Sequence, residues 1–201
     1  MDSIQKLVIA SNNTGKIAEI NTLLTPLAIE AISQSAFNVS EIAEPFVTFV
    51  ENALTKARHA SRCSGLPALA DDSGICVAAL NGAPGVHSAR YAGEPKSDAR
   101  NNLKLVESLQ NQTDRRAFYY CVIVLVRHAD DPQPIVVDGS WYGEIITQSR
   151  GAGGFGYDPH FYLPELDKTA AELTAEQKNQ ISHRGIALAK LAGILRHTGK
   201  F

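Results

Sequence analysis

The sequence predicts an α/β fold in which a mixed β-sheet is flanked by helices, formed by one domain over residues 1–201. Short apolar runs typical of strands alternate with amphipathic helical stretches, and no long linker separates them. In addition, two long β-rich runs, residues 115–129 and 134–148, are separated by the turn-forming sequence DDPQ. This pattern indicates an antiparallel hairpin, which argues against an all-parallel sheet.

The N-terminal part is predicted to form a strand, a turn and a helix. KLVIAS, residues 6–11, has the pattern of a short buried strand. The turn NNTG leads into a helix whose apolar positions, from Ile17 to Leu24, share one face. This helix is expected to end near Pro26.

The clearest predicted helix is TFVENALTKARHASRCSG, residues 48–65. Thr48 and Glu51 have the spacing of a capping box, and Gly65 suits the helix end. LPALADD, residues 66–72, follows and is predicted to be a strand that ends at its acidic pair.

The C-terminal half contains two loops and two helical stretches. Residues 82–93, GAPGVHSARYAG, and residues 151–161, GAGGFGYDPHF, are expected to be loops. Residues 97–112 and 174–197 have helical patterns.

Composition and charge exclude several kinds of partner. The net charge of −2 provides no electrostatic surface for nucleic acid or for an anionic membrane. The three cysteines form no CxxC pair and are expected to be reduced thiols. Because no signal-like or membrane-spanning run is found, the protein is expected in the cytoplasm, with no membrane partner.

The segment SNNTGK, residues 11–16, predicts a phosphate-binding turn. A strand, a glycine turn and a helix start place backbone N–H groups where an anion can bind, and Lys16 adds a positive charge. The segment is not a P-loop, because Ala10 and Ile17 occupy positions where that motif requires glycine and Ser or Thr. A turn with a solvated lysine is the alternative.

The segment ALADDSGICV places two adjacent carboxylates between apolar runs, which requires a positive partner. A hard divalent cation such as Mg²⁺ would supply it, and one carboxylate could then deprotonate a water molecule. An ordinary turn is the alternative. Asn52 and Lys56 share a helix face and could reach a phosphate, although taken alone the pattern favours a solvated face.

Two further segments suggest recognition of a nucleobase. Phe155 or Tyr157 could stack on a base, and Asp158 could accept from a ring N–H. Alternatively, these side chains are part of the apolar core near the end of a hairpin. A second cluster near the C terminus supplies donors, or else forms a charged helix surface: Lys178, Ser182, His183 and Arg184.

Taken together and in order, these segments resemble the inosine triphosphate pyrophosphatase family, the XTP/dITP diphosphatases. The matching segments extend from Ser11 to Gly185: SNNTGK, TFVENALTKARHA, ALADDSGICVAALNGAPGVHSARYAG, GGFGYDPHF and KTAAELTAEQKNQISHRG. The resemblance implies a purine nucleoside triphosphate substrate (ITP, dITP or XTP) and Mg²⁺ as cofactor. The implied products are a nucleoside monophosphate and pyrophosphate, so that such nucleotides are removed before they enter DNA or RNA. It also implies an elongated mixed sheet, two lobes around a central cleft, and a homodimer.

The resemblance also assigns roles to individual residues. It identifies Asp72 as catalytic base and metal ligand, and Glu44 as a second metal ligand. The residues assigned to the triphosphate are Ser11, Asn12, Asn13, Thr14, Gly15, Lys16, Lys56 and Ser73. Those assigned to the base are Phe155, Gly156, Tyr157, Asp158, Lys178, His183 and Arg184.

Donor and acceptor chemistry explains the expected choice of base. Hypoxanthine and xanthine carry an acceptor at C6, where adenine carries an amino donor, so donors from His183 and Arg184 would favour the former. Two other functions remain open at this point: a nucleotide-binding module without catalysis, and a hydrolase for other triphosphates such as dUTP.

Overall fold

The computed structural model describes residues 4–198 of the chain. Its centre is a seven-stranded sheet in the order β2-β1-β3-β4-β5-β6-β7. The strands are β1 Lys6–Ile9, β2 Glu30–Ser33, β3 Ala68–Val77, β4 Arg116–Val126, β5 Ile135–Ile145, β6 Phe161–Leu163 and β7 Lys168–Thr169. The helices are α1 Thr14–Leu24, α2 Phe49–Ser64, α3 Asp98–Ser108, α4 Ala175–Ile181 and α5 His183–Thr198.

The sheet is mixed, as predicted. Strand β1 pairs in parallel with β2 and β3, whereas β6 pairs antiparallel with β5 and β7. The backbone N–H of Ile145 donates to the carbonyl of Arg115, which places the end of β5 beside the start of β4. The predicted hairpin is therefore present.

The chain divides into two compact units. Unit 1 comprises Met1–Asp72, Cys121–Gly139 and Arg184–Phe201, and unit 2 comprises Ser73–Tyr120 and Ser140–His183. The chain thus passes repeatedly from one unit to the other. That residues 1–201 act as one functional domain stays a prediction.

Each unit has its own apolar core. The core of unit 1 is aliphatic and combines strand residues with residues of α1 and α5: Leu7, Ile9, Ile20, Leu24, Leu69, Cys121, Ile123, Leu125, Val137, Ala187, Leu188 and Leu191. The core of unit 2 is rich in aromatic rings, with Tyr119 and Trp141 packed on Phe161 at centroid distances of 4.7 and 5.2 Å. Such ring pairs add to the stabilisation that burial provides.

The prediction that the third strand ends at its acidic pair is wrong. Strand β3 continues through both aspartates to Val77, and its residues are almost all buried. Gly74 permits this, because a Cβ there would lie 2.2 Å from the carbonyl oxygen of Gly85. Ser88 completes the packing, since its hydroxyl accepts from the N–H of Ile75. The DDSG sequence is therefore extended strand in close contact with a loop, and not a turn.

Other differences concern weak sequence signals. The short strand β2 had no distinct pattern and was not predicted. The predicted C-terminal helical stretch is divided at Ser182, whose backbone is extended. Helix α2 agrees with its prediction, with Thr48 as N-cap and Gly65 in the left-handed conformation as C-cap.

Two further expectations concern thiols and membranes. Cys63, Cys76 and Cys121 are all free thiols, as predicted. Among residues 4–198, no helix has both the length and the apolar character required to cross a membrane.

Candidate functional site

The loop between β1 and α1 is shaped by its own side chains. Asn13 is the N-cap of α1, and its side-chain oxygen accepts from the N–H of Lys16 at 3.1 Å. The hydroxyl of Ser11 accepts from the N–H of Asn13 at 3.1 Å. Residues 12–15 are exposed, so the positive end of the helix dipole faces solvent. This is the local geometry in which helix N-termini bind anions.

Asp71 is buried among cations of unit 1. Its carboxylate lies 2.9 Å from the ammonium of Lys16 and 3.4 Å from the guanidinium of Arg184. Arg184 is itself buried and also contacts Glu19 at 2.8 Å. Burial alone would raise the pKa of Asp71, but Lys16, Arg184 and Lys56 hold it well below its ordinary value. Asp71 is therefore ionised and already neutralised by protein groups.

Asp72 has different partners, because neighbouring residues on a strand point to opposite faces. Its two oxygens contact Asn52 at 3.2 Å and the ammonium of Lys56 at 3.5 Å. Burial raises the pKa of Asp72, Lys56 opposes this, and the like charge of Glu44 adds to it. Its negative charge is thus only partly compensated by the protein.

Lys56 connects Asp72 with Glu44, whose carboxylate lies 3.1 Å from the same ammonium. Burial disfavours the charged lysine, yet Asp72, Asp71 and Glu44 outweigh it and raise the pKa of Lys56. Two predicted metal ligands therefore meet at one cation. In the described residues, no group of three or more His, Cys, Asp and Glu side chains forms a metal cage.

Asn52 fixes this arrangement through three hydrogen bonds. Its amide pairs with both the N–H and the carbonyl of Phe46, each at 3.2 Å, and it donates to Asp72. Its side chain therefore links the segment that carries Glu44 to the Asp72 carboxylate. The sequence placed Asn52 on the same helix face as Lys56, but it was not among the assigned site residues.

The predicted base-binding residues lie in unit 2, apart from Arg184, and Asp158 organises several of them. Its carboxylate accepts from the N–H of Phe155 at 2.9 Å, from the hydroxyl of Tyr119 at 3.3 Å, and from the ammonium of Lys178. The same ammonium lies over the Phe155 ring, 4.5 Å from its centroid. Asp158 thus already accepts from three protein donors and holds Lys178 in place.

Phe155 and Tyr157 differ in exposure. Phe155 is 51% exposed, whereas Tyr157 is only 4% exposed and donates its hydroxyl to the carbonyl of Ser88 at 2.7 Å. The ring that is open to a ligand is therefore that of Phe155, and Tyr157 packs in the core of unit 2. His183 is buried and stacks on Tyr119, with a centroid distance of 4.8 Å.

Some predicted residues are not brought together in the way the sequence suggested. His183 and Arg184 are adjacent, but His183 stacks on an aromatic ring while Arg184 pairs with Asp71 and Glu19. The assignment of Arg184 to the base stays a prediction. Ser73 directly follows Asp72 on β3 and is partly buried.

Several residues of the site had no sequence signal of their own. Tyr119 reaches Asp158 from a distance of 39 residues, and Glu19 reaches Arg184 from 165 residues. Only the folded sheet brings such groups together. By contrast, Asn52 could be found from its spacing to Lys56.

Comparison with known proteins supports the resemblance. The model of the Ham1 family matches residues 7–194. A protein of Nitrosomonas europaea named dITP/XTP pyrophosphatase is 68% identical over 192 residues, covering 96% of this chain and 95% of the relative. A protein of Ralstonia nicotianae with the same name is 62% identical, covering 96% and 98%.

Solved structures agree with the observed fold. The structure of a HAM1 protein from Coxiella burnetii superposes with a TM-score of 0.93 at 50% identity, covering 96% of this chain and 98% of that one. The Staphylococcus aureus Ham1 protein gives a TM-score of 0.88 at 45% identity, with the same coverage.

Proposed function

Because the chain belongs to the Ham1 family, we propose that it hydrolyses non-canonical purine nucleoside triphosphates to the nucleoside monophosphate and pyrophosphate. The substrates are ITP, dITP and XTP, and their removal keeps them out of DNA and RNA. The observation that carries the proposal from the structure is the pairing of Asp72 and Glu44 through Lys56 in unit 1. Carboxylates held together by one cation suit a reaction on a charged phosphate chain.

The triphosphate is assigned to residues of unit 1 together with Ser73. The exposed amides of residues 12–15 at the start of α1 supply anion-binding donors. Lys16 and Lys56 add positive charge, and Lys16 lies close enough to Asp72 to lower its pKa, although burial has the larger opposite effect. These groups would stabilise negative charge that accumulates on the leaving pyrophosphate.

Glu44 and Asp72 fit a magnesium ion. Mg²⁺ is commonly bound through one or two carboxylates, several waters and substrate phosphates, so two protein ligands suffice. Both carboxylates contact the Lys56 ammonium, Glu44 at 3.1 Å and Asp72 at 3.5 Å, so they face a common cationic position. When bound, the ion would supply positive charge that neutralises the phosphate oxygens.

Asp72 is assigned as the general base. A carboxylate can accept the proton of a water molecule that attacks the α-phosphorus. Asn52 holds one oxygen of Asp72, which fixes the orientation of the carboxylate. Asp71 is less suited to this role, because Lys16 and Arg184 already neutralise it and its pKa is lowered.

The base is assigned to residues of unit 2. The exposed ring of Phe155 offers a stacking surface, and the ammonium of Lys178 is held beside it. The ammonium of Lys178 offers donors and no acceptor, so it favours a keto oxygen at C6 and meets the amino group of adenine as donor against donor. His183, stacked on Tyr119, is a second donor in this unit when its tautomer allows.

The test is a product analysis with a substrate panel. Purified protein with Mg²⁺ and dITP is expected to release dIMP and pyrophosphate in equal amounts, whereas release of orthophosphate would contradict the proposal. The kcat/KM for ITP, dITP and XTP should exceed that for dATP, dGTP and dUTP. Binding without turnover would support a binding module, and a preference for dUTP would support another hydrolase.

The proposal also includes a homodimer and a location in the cytoplasm, both of which rest on the resemblance. A measurement of mass in solution by light scattering tests the first, with an expected value of about twice the chain mass of 21.7 kDa. Cell fractionation tests the second.

A further inference from the structure

The peptide units of Gly156 are held from both sides by helix α3. The N–H of Gly156 donates to the Asp98 carboxylate at 2.7 Å, and its carbonyl accepts from the Asn102 amide at 2.7 Å. All three residues belong to unit 2. Gly156 has a φ of +63°, a left-handed conformation that favours glycine. One turn of a regular helix therefore fixes an unusual backbone conformation in a glycine-rich loop.

The Asn102 amide has only one possible orientation here. Its nitrogen donates to two carbonyl oxygens, those of Gly156 and Asp98, so exchanging its nitrogen and oxygen would place acceptor against acceptor. Its own oxygen is buried and has no hydrogen-bond partner among the residues the structure describes. A buried amide oxygen without a hydrogen-bond partner lowers the stability of the fold. That Asn102 is nevertheless buried here, with its nitrogen on the Gly156 carbonyl, points to a role for Asn102 beyond packing.

These contacts act directly on Phe155. The N–H of Phe155 is held by Asp158 at 2.9 Å, and the peptide that follows Phe155 is held by Asp98 through the N–H of Gly156. The backbone of Phe155 is thus fixed before and after its Cα. The position of its exposed ring, which lies under the Lys178 ammonium, depends on this backbone.

We propose that Asp98 and Asn102 are positioning residues that set the base selectivity of the enzyme by fixing the Phe155–Gly156 backbone. The proposal rests on the proposed function, since it assumes that Phe155 and Lys178 contact the base. Recognition groups must be held closely to discriminate between bases that differ by one substituent. Neither positioning residue is assigned a contact with substrate or metal.

The test compares four variants. Asp98→Ala and Asn102→Ala remove one support each, whereas Asp98→Asn keeps an acceptor oxygen for the N–H of Gly156. Asn101→Ala is the matched control, because Asn101 is also buried on α3 and its amide also holds a loop backbone, at Ala92 and Ala89. Asp98 is exposed, so Asp98→Ala is expected to fold even if Asn102→Ala does not.

The readouts are kcat and KM for dITP and dATP, whose bases differ at C6, together with the exchange rate of the Gly156 amide proton by NMR. For Asp98→Ala and Asn102→Ala we expect KM for dITP to rise about tenfold with little change in kcat, and the ratio of kcat/KM for dITP over dATP to fall by a similar factor. In Asp98→Ala, Gly156 exchange should accelerate at least about tenfold, since its acceptor is lost. Asp98→Asn should retain most of the selectivity, and Asn101→Ala all of it.

Unchanged selectivity in folded Asp98→Ala, or an equal loss in Asn101→Ala, would overturn the proposal. If the wild-type protein itself did not prefer dITP over dATP, the proposed function would fail and this inference with it. The wild-type measurement thus separates the two failures, because it is made before any variant is compared.

Discussion

Replacing Asn52 with alanine should weaken both the stability of the fold and the affinity for magnesium in a measurable way. The substitution removes the two hydrogen bonds to the Phe46 backbone and the one to Asp72. A neutral hydrogen bond contributes about 1 kcal/mol and one to a charged group about 2 kcal/mol. Because Phe46 is partly exposed, water replaces some of the lost bonds, and we expect a loss of about 3 kcal/mol.

For a chain of 201 residues, this loss corresponds to a fall in Tm of roughly 10 °C. The functional effect is separate from this. Freeing the Glu44 segment and the Asp72 carboxylate should raise the Mg²⁺ concentration for half-maximal activity by about 10-fold, the lower end of what loss of an outer-shell contact costs a metal site. Binding of Mn²⁺ to the free protein, followed by electron paramagnetic resonance, measures the same change without turnover.

Asn101→Ala is the control for stability, because it removes two neutral hydrogen bonds that the amide of this buried asparagine makes to loop backbone. It should cost about 2 kcal/mol and leave the affinity for Mn²⁺ unchanged. If folded Asn52→Ala bound Mn²⁺ as tightly as the wild type, the reasoning that links Asn52 to a metal site would be refuted.

Three other outcomes are expected. Asp131 accepts a hydrogen bond from Arg127, and this contact is the main reason why the pKa of Asp131 is lowered in the folded protein. Asp131→Asn should therefore reduce Tm by roughly 5 °C at pH 7. Because folding lowers this pKa, the difference in free energy of unfolding between wild type and variant, measured with urea, should shrink as pH falls below about 4. In thermal unfolding, Gly74→Ala should lower the free energy of unfolding by about 2 kcal/mol, because its Cβ would meet a carbonyl oxygen at 2.2 Å. Gly193→Ala, with open space at that position, should raise it by about 0.5 kcal/mol. Asp72→Asn should lower kcat at least about 100-fold while circular dichroism stays unchanged, and a folded variant of full activity would disprove the role of base.

The fold class and most elements could be predicted because local patterns determine them. The capping residues of α2 and the long β-rich runs of β4 and β5 are properties of short segments, and both predictions are confirmed. Strand β3 was predicted to end too early because Asp, Ser and Gly favour turns locally. The close approach of the Gly85 carbonyl to Gly74, which makes the strand fit, is a tertiary contact that no local pattern contains.

For the candidate site, too, local patterns could be predicted and tertiary contacts could not. Spacing and residue type pointed to Lys16, Lys56 and the pair of Asp71 and Asp72, because helix starts, shared helix faces and paired carboxylates are visible in the sequence. The choice of Asp72 came from the family resemblance. The separate environments of Asp71 and Asp72 were only partly foreseen, since they depend on the strand continuing past both. The support of Gly156 by α3 could not be predicted, because its hydrogen bonds span more than 50 residues.

The most direct test of the account is a crystal structure of Asp72→Asn, which should bind substrate without turnover, soaked with dITP and Mg²⁺. We expect the phosphates to contact the residues at the start of α1 and Lys56, with Mg²⁺ on Glu44 and the purine ring stacked on Phe155. Phosphates bound away from position 72, or a ring that does not touch Phe155, would contradict it.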